Sequence, residues 1–235
     1  MNRVAFITGT GKGIGRAIAE LLLVENYIVF GYSRTNKIKH PNFNFIKIDL
    51  SDLKKVEKLT FPKVSNSEVV LINNAATIGK IIPLSLKKNI DIIHDYNLNI
   101  VSPTILCAKF IKAFSSNKKI IINISSGAAN NSIASWSIYC AAKAAIDRLT
   151  NVLIEEKHPN LTIFSVHPGI VNTQMQVRIR ESDSSLFPSL KKFIDYYNNN
   201  KLENVEIVAQ KLFYIIRNHK KFDQNIVSIR DVYIN

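Results

Sequence analysis

The segment YCAAK places Tyr139 four residues before Lys143. On a helix, residues four apart share a face, so the Lys143 ammonium comes close to the Tyr139 hydroxyl. A nearby positive charge stabilises a phenolate and lowers the pKa of the phenol. A phenol tuned towards the working pH can give or take a proton at a carbonyl oxygen. The pair therefore suggests acid–base chemistry, although the same spacing also occurs on ordinary helix faces.

A glycine-rich turn follows the first apolar run of the chain and precedes the first amphipathic segment. Glycines there let the backbone approach a pyrophosphate, and the N-terminus of the next helix supplies N–H donors and a positive dipole. Because the turn lies in an alternating strand–helix pattern, dinucleotide binding is favoured over a plain connection. The residues expected to contact the dinucleotide here are Thr8, Gly9, Gly11, Lys12, Gly13, Ile14 and Gly15.

The end of the second predicted strand indicates which dinucleotide binds. NAD sites usually place a carboxylate there for the ribose hydroxyls, but no Asp or Glu occurs between Glu25 and Asp49. Ser33 and Arg34 stand there instead, and a guanidinium forms charge-assisted bonds to a 2′-phosphate. Lys12 adds a second cation. NADP(H) is therefore expected over NAD, with two solvated surface cations as the alternative interpretation.

Apolar runs and helical patterns alternate along the whole chain. Unalternating apolar runs are typical of strands buried on both faces, and strand–helix alternation implies a doubly wound parallel sheet. We therefore predict a single-domain α/β Rossmann fold with about seven strands and helices on both faces. The predicted strands are 4–7, 27–32, 43–48, 69–72, 119–124, 161–166 and 225–229. The predicted helices are 13–25, 51–59, 91–114, 139–156 and 205–217.

Three details of these elements are specific enough to test. Ser51 is expected to cap the helix over 51–59. Pro103 interrupts the long helix over 91–114 and is expected to bend it. The polar stretch 173–200 is irregularly periodic, and we interpret it as a mobile helical flap over the substrate.

In this order, the motifs resemble the short-chain dehydrogenase/reductase family over nearly all of the chain. The turn from Thr8 to Gly15 matches the family's glycine pattern. The segment NNAA at 73–76 matches its Asn-Asn-Ala-Gly segment, except that Ala76 replaces the glycine. NISSG at 123–127 matches the segment that carries the family's serine. The resemblance implies an NADPH-dependent carbonyl reductase with a small-molecule carbonyl substrate.

The resemblance also implies catalytic roles. The catalytic serine falls on Ser126, thirteen residues before Tyr139, rather than on its neighbour Ser125. Tyr139 would protonate the carbonyl oxygen while NADPH delivers hydride to the carbonyl carbon, and Ser126 would hold that oxygen. Lys143 would bind the nicotinamide ribose and lower the Tyr139 pKa.

The family's structural asparagine matches Asn99, with Asn97 as a near alternative. By resemblance, Asn99 would anchor a water that links Lys143 to bulk solvent. This would complete a catalytic set of four side chains.

Further cofactor contacts follow from the same resemblance. Asp49 and Leu50 match the usual neighbours of the adenine ring. After the sixth strand, the Val171 backbone and the Thr173 hydroxyl would contact the nicotinamide carboxamide. The remaining expected contacts are Ser33, Arg34, Asn74, Ala75, Tyr139, Lys143, Pro168 and Gly169.

A finer resemblance points to the sepiapterin reductase and benzil reductase branch of the family. It rests on segments 171–176, 200–202 and 208–212, while segment 124–129 and Trp136 lean towards bacterial benzil reductases. That branch reduces one ketone of a vicinal or aromatic dicarbonyl with NADPH. A benzil-reductase-like enzyme is therefore expected. The alternatives are a sepiapterin- or pterin-type reductase, or a non-catalytic NADP-binding regulatory protein.

Candidate substrate contacts are Ser126, Trp136 and Met175. Pterin-reducing members carry an acidic residue on the last strand, but Asp231 lies about two residues late and Ile229 is nearer the expected place. This departure from the pattern disfavours pterin recognition. Four aromatic residues of the flap either line the pocket or pack the flap onto the core: Phe187, Phe193, Tyr196 and Tyr197.

Composition excludes several other classes. The 235 residues are 46% hydrophobic and include two cysteines, which suits one large core and no disulfide framework. The net charge of +13 invites a nucleic-acid interpretation, but the lysines are scattered, so no nucleic-acid partner is expected. No apolar stretch reaches the roughly 20 residues of a membrane span, and no signal peptide is seen, so a cytoplasmic location is expected.

Two further expectations concern metals and assembly. The histidines and cysteines lack the spacing of metal ligands, so no metal is expected. Helices around 99–114 and 139–156 form dimer interfaces in similar proteins, which favours a homodimer. Apolar residues that allow such an interface, but that could equally face the sheet, are Ile105, Leu106, Ile146 and Leu149.

Overall fold

The computed structural model describes residues 2–64 and 67–234. Seven parallel strands form one sheet in the order β3-β2-β1-β4-β5-β6-β7, as predicted for a doubly wound α/β fold. The strands are β1 Asn2–Thr8, β2 Ile28–Ser33, β3 Phe43–Lys47, β4 Ser67–Asn73, β5 Lys119–Ile124, β6 Leu161–His167 and β7 Ile226–Ser228. The helices are α1 Gly13–Val24, α2 Leu53–Lys58, α3 Asn89–Tyr96, α4 Ser102–Ala113, α5 Ser137–Glu155, α6 Gln174–Arg180, α7 Leu190–Asn198 and α8 Val205–Arg217.

Helices cover both faces of the sheet because its central strands are apolar on both sides. On β1, Ala5 and Ile7 belong to the core layer shared with α1 and α8. Val4 and Phe6 belong to the opposite layer, which includes residues of α2 and α4. With every strand parallel, the carboxyl ends of the strands lie along one edge, where α/β sheets bind ligands.

The cap of α2 differs from the prediction. The side chain of Asp52, not Ser51, accepts the N–H of Lys55, at 3.3 Å. The backbone N–H and hydroxyl of Ser51 instead donate to Asp49 Oδ1, at 3.0 and 2.7 Å. The carboxylate of Asp49 thus holds Ser51 outside the helix, and α2 begins one residue after Asp52.

The predicted long helix is three consecutive helical segments. Its irregularity is a π-helical stretch over Asn97–Val101, between α3 and α4, rather than a bend centred on Pro103. Pro103 lies in the first turn of α4, where a missing N–H is tolerated. The π-helical stretch contains Asn99, so the irregular turn falls on a predicted functional residue.

The predicted flap over 173–200 is helical and contains α6 and α7. Its aromatic residues pack against Trp136: the Phe187 ring lies 5.8 Å and the Phe193 ring 5.1 Å from the indole. The flap is therefore attached to α5 and to the loops after β4 and β5 through a separate apolar cluster that includes Tyr139.

Candidate active site

A continuous cavity of about 820 Å³ runs along the carboxyl ends of the strands. The expected substrate contacts Ser126, Trp136 and Met175 line it. Most expected cofactor contacts line it as well, namely Gly9, Gly11, Lys12, Gly13, Ile14, Ser33, Arg34, Asp49, Leu50, Asn74, Ala75, Tyr139, Lys143, Pro168, Gly169, Val171 and Thr173.

The glycine turn leaves the N-terminus of α1 open to the cavity. Lys12 is the N-cap residue, its side chain makes no capping hydrogen bond, and the first turn contains no acidic residue. Gly9 and Gly13 have φ angles of 77° and 57°, which other residues rarely adopt. Uncapped amides and the helix dipole favour an anion at this point. The turn therefore fits the phosphates of a dinucleotide.

Thr8 and Gly15 lie behind the cavity wall rather than on it. The Thr8 hydroxyl accepts the N–H groups of Asn74 and Ala75, at 2.9 and 3.0 Å. A Cβ atom on Gly15 would collide with the Asn74 side chain and the Gly9 carbonyl. These two residues hold the glycine turn against the loop after β4, and their direct contact with the cofactor stays a prediction.

At the far end of the cavity, Arg34 is largely exposed and lies 3.9 Å from the Asp49 carboxylate. Burial raises the pKa of Asp49, but hydrogen bonds from Ser51 and the charge of Arg34 outweigh it and leave the pKa lowered. The Ser33 hydroxyl donates to the Thr35 carbonyl at 2.6 Å. An exposed ion pair at this distance contributes little to stability, so the Arg34 guanidinium can also bind another anion.

Tyr139 lies buried at the opposite end of the cavity, where its side chain is hydrogen-bonded to Ser126. Burial raises the Tyr139 pKa to about 12, and the bond with Ser126 only partly opposes this. The lowering of the phenol pKa that is expected from Lys143 and a bound nicotinamide cofactor stays a prediction. In the protein itself, desolvation of the buried phenol has the largest effect on this pKa.

Lys143 lies one helical turn from Tyr139, with Nζ 5.6 Å from the centre of the phenol ring. The ammonium donates to the carbonyl of Ile124, at 2.7 Å. Burial lowers the Lys143 pKa to about 8, and the charge of Asp147 works against this shift. The pair faces the cavity together, as the spacing predicts.

Of the two adjacent serines, Ser126 has the geometry to meet a ligand beside Tyr139. Its hydroxyl accepts the Ala128 N–H, at 3.1 Å, and is hydrogen-bonded to Tyr139. The Ser125 hydroxyl is buried and donates to the backbone carbonyl of Lys143, at 3.3 Å. The geometry therefore favours Ser126, the serine preferred from the sequence.

Asn99 does not line the cavity. Its buried amide accepts the N–H of Thr77 and donates to the Thr77 carbonyl, both at 2.9 Å. The Asn97 amide donates to the Ser51 carbonyl, at 3.3 Å. The side chain of Asn99 thus shapes the loop after β4, and its role in proton transfer stays a prediction.

Sequence reasoning missed a buried polar cluster around Asp147. The Asp147 carboxylate accepts the Ser165 hydroxyl at 2.5 Å and is bonded to His167 Nε2 at 2.8 Å. These two bonds, with a third from Ser125, lower the Asp147 pKa against the effect of burial. The cluster ties α5 to the ends of β5 and β6. Its only sequence signal is that Asp147 follows Lys143 by one helical turn.

The wall of the cavity near Tyr139 contains aromatic side chains. Trp136 and Phe193 are buried and line it, whereas Phe187 is buried beneath them. Tyr197 does not line it, and its ring lies 4.1 Å from the Arg180 guanidinium. Of these flap aromatic residues, Phe193 therefore lines the cavity, whereas Phe187 and Tyr197 pack against other side chains. Asp231 is exposed and outside the cavity lining.

Two searches within residues 2–64 and 67–234 gave negative results. No helix there is long and apolar enough to cross a bilayer. No three histidine, cysteine, aspartate or glutamate side chains there are grouped as metal ligands.

The family model for the short chain dehydrogenases matches residues 3–184, so the chain belongs to this family of oxidoreductases. A benzil reductase ((S)-benzoin forming) from Bacillus cereus is 34% identical over 230 residues, covering 89% of this chain and 92% of that protein. A sepiapterin reductase from Xenopus tropicalis is 28% identical over 236 residues, covering 88% of each. The predicted family and branch are confirmed.

The fold is also found among solved structures. A short chain dehydrogenase/reductase from Saccharomyces cerevisiae superimposes with a TM-score of 0.85, at 23% identity, covering 98% of this chain and 97% of that one. This likeness confirms the predicted α/β architecture.

Proposed function

We propose that the protein is an NADPH-dependent carbonyl reductase that reduces one ketone of a vicinal or aromatic dicarbonyl. The observation that carries the proposal is the hydrogen-bonded pair of Tyr139 and Ser126, with Lys143 one helical turn away, where the cavity wall contains aromatic side chains. Similarity to benzil reductases supports the dicarbonyl substrate. The acid–base roles rest on this geometry and on the resemblance of the motifs.

Tyr139, Ser126 and Lys143 have different roles in the proposed reduction. A bound reduced nicotinamide supplies the hydride. Tyr139 gives its proton to the substrate oxygen as the general acid. Ser126 holds the same oxygen. Lys143 binds the nicotinamide ribose and keeps its positive charge close to the Tyr139 phenol.

The cofactor preference follows from charge. Lys12 and Arg34 both line the end of the cavity remote from Tyr139. The Asp49 carboxylate at this end accepts a hydrogen bond from Ser51 and lies near Arg34. Lys12 and Arg34 therefore both remain able to bind a phosphate. We infer that the 2′-phosphate of NADP(H) binds between Lys12 and Arg34. The exposure of Asp231 argues against a pterin substrate.

We also propose a homodimer. Leu106 and Ile146 are buried within their own chain and cannot form the interface. The exposed face of α5 instead carries Ala141, Ala144 and Val152, together with Arg148. Small apolar residues on an exposed helix allow close approach of a second copy. Light scattering during gel filtration should give twice the chain mass, and the mass of a single chain would contradict the proposal.

A dicarbonyl panel tests the reductase assignment directly. With benzil or another aromatic diketone as the substrate, we expect NADPH to be oxidised much faster than NADH.

Arg34→Gln should lower this NADPH preference by about tenfold, because one charge-assisted contact is lost. The matched control is Lys37→Gln, an exposed cation outside the cavity lining. Equal rates with both cofactors would overturn the NADP assignment, and no turnover of any carbonyl would overturn the reductase.

A further inference from the structure

The flap helix α6 presents a cation to the cofactor half of the cavity. Arg178 is exposed and lines the cavity together with Lys12 of the glycine turn. The two segments lie close together, because a Cβ atom on Gly13 would lie 3.5 Å from the Thr173 methyl group, just before α6. Arg178 therefore lines the cavity close to Lys12 and the uncapped N-terminus of α1.

The charges on these walls are not neutralised by the protein. Burial lowers the Lys12 pKa, and the positive charges of Arg178 and Arg34 lower it further. Within the described ranges, neither Lys12 nor Arg178 forms an ion pair with a carboxylate, whereas Arg34 is near Asp49. Like charges that converge across a groove attract an anion into it.

Neighbouring arginines have structural partners that Arg178 lacks. Arg180, on the same helix, lies over the ring of Tyr197. Arg16, on α1, is paired with Glu20 at 2.8 Å. No packing or pairing of this kind is found for Arg178 within the described ranges.

We propose that Arg178 is a phosphate-binding residue, which contacts a phosphate of the bound dinucleotide from the flap side. The inference rests on the proposed function, since it requires that the cavity bind a dinucleotide. It assigns to the flap a second task besides enclosing the substrate. The flap and the glycine turn then hold the cofactor phosphates between them.

Binding of NADPH and NADH without substrate, measured by fluorescence titration or calorimetry, tests the inference. Arg178→Gln should weaken NADPH binding by about tenfold, the value expected for one charge-assisted contact. Arg178→Lys should restore part of it, and its dependence on salt should stay close to that of the wild type. The matched control is Lys191→Gln, which removes the same charge from an exposed flap position outside the cavity lining.

Comparison of NADPH with NADH shows which phosphate Arg178 contacts, because both carry the pyrophosphate but only NADPH carries the 2′-phosphate. Equal weakening of NADPH and NADH would assign Arg178 to the pyrophosphate, and weakening of NADPH alone would assign it to the 2′-phosphate. Unchanged affinity for both in Arg178→Gln, or an equal loss in Lys191→Gln, would overturn the inference. If the wild-type protein binds neither dinucleotide, the proposed function fails as well, and this result is distinct from a failure of Arg178 alone.

Hydrogen exchange gives a readout independent of affinity. Saturating NADPH should protect the amides of α6 in the wild type, and the protection should be weaker in Arg178→Gln at equal saturation. Equal protection in both proteins would show that α6 does not depend on Arg178 to meet the cofactor.

Discussion

Tyr139→Phe is expected to lower the turnover number by a factor of about 10² to 10⁴, the usual contribution of a general acid. The substitution removes one oxygen atom and keeps the ring that packs against Trp136 at 5.7 Å. The substrate oxygen would then lose its proton donor, and the Ser126 hydroxyl would lose its bond to Tyr139 but keep the one from the Ala128 N–H. Folding and NADPH affinity should change little, because the ring remains in the apolar cluster.

Single-turnover reduction of a diketone, followed through NADPH absorbance, measures this effect at the chemical step. Tyr214→Phe is a suitable control, because it makes the same chemical change on α8, outside the cavity lining. A Tyr139→Phe protein with near-wild-type single-turnover rates would remove Tyr139 from the mechanism. A loss of NADPH affinity as large as the loss of rate would indicate a binding defect instead.

Lys143→Met is expected to abolish most turnover and yet to stabilise the fold at neutral pH. The Lys143 pKa is about 8 in the folded protein, below its ordinary value of 10.5. Below pH 8 the ammonium is charged in both states, and its burial destabilises the folded state by about 3 kcal/mol. Loss of the hydrogen bond to Ile124 offsets about 1 kcal/mol of the gain from removing this charge.

The stability of the wild type should depend on pH because the Lys143 pKa differs between the folded and unfolded states. As pH rises from 8 towards 10.5, the folded wild type loses the Lys143 proton before the unfolded chain does, so its stability increases. Thermal unfolding should therefore favour Lys143→Met by about 4 to 8 °C at pH 7, and the difference should shrink at pH 10. A variant that is less stable than the wild type at pH 7 would contradict the prediction.

Lys119→Met is the informative comparison. Lys119 is also buried, but it lies at the opposite end of β5 from the cavity. Its ammonium donates to three backbone carbonyls, those of Ser115, Asn117 and Pro159. Removal should leave these acceptors unpaired, lower the stability and spare the activity. We therefore expect the buried Lys143 to be needed for activity but not for stability, and the buried Lys119 to be needed for stability but not for activity.

Much of the fold followed from local patterns. Apolar runs predicted the seven strands, and those of the central strands are nearly unbroken because a strand buried on both faces cannot alternate with polar residues. The four-residue spacing of Tyr139 and Lys143 predicted their shared face, because helix geometry is local. The cap at Asp52 and the π-helical turn at Asn97–Val101 were not predictable in this way, because each depends on contacts with another segment.

The sequence by itself determined the sheet, the glycine turn and the candidate catalytic side chains. Only the tertiary structure decided their electrostatics and their distant partners. Burial, which depends on the whole packed layer, raises the Tyr139 pKa, and the four-residue spacing gives no sign of this contribution. The bonds of Asp147 to His167 and the approach of Arg178 to Lys12 join residues far apart in the chain, and no local periodicity carries that information.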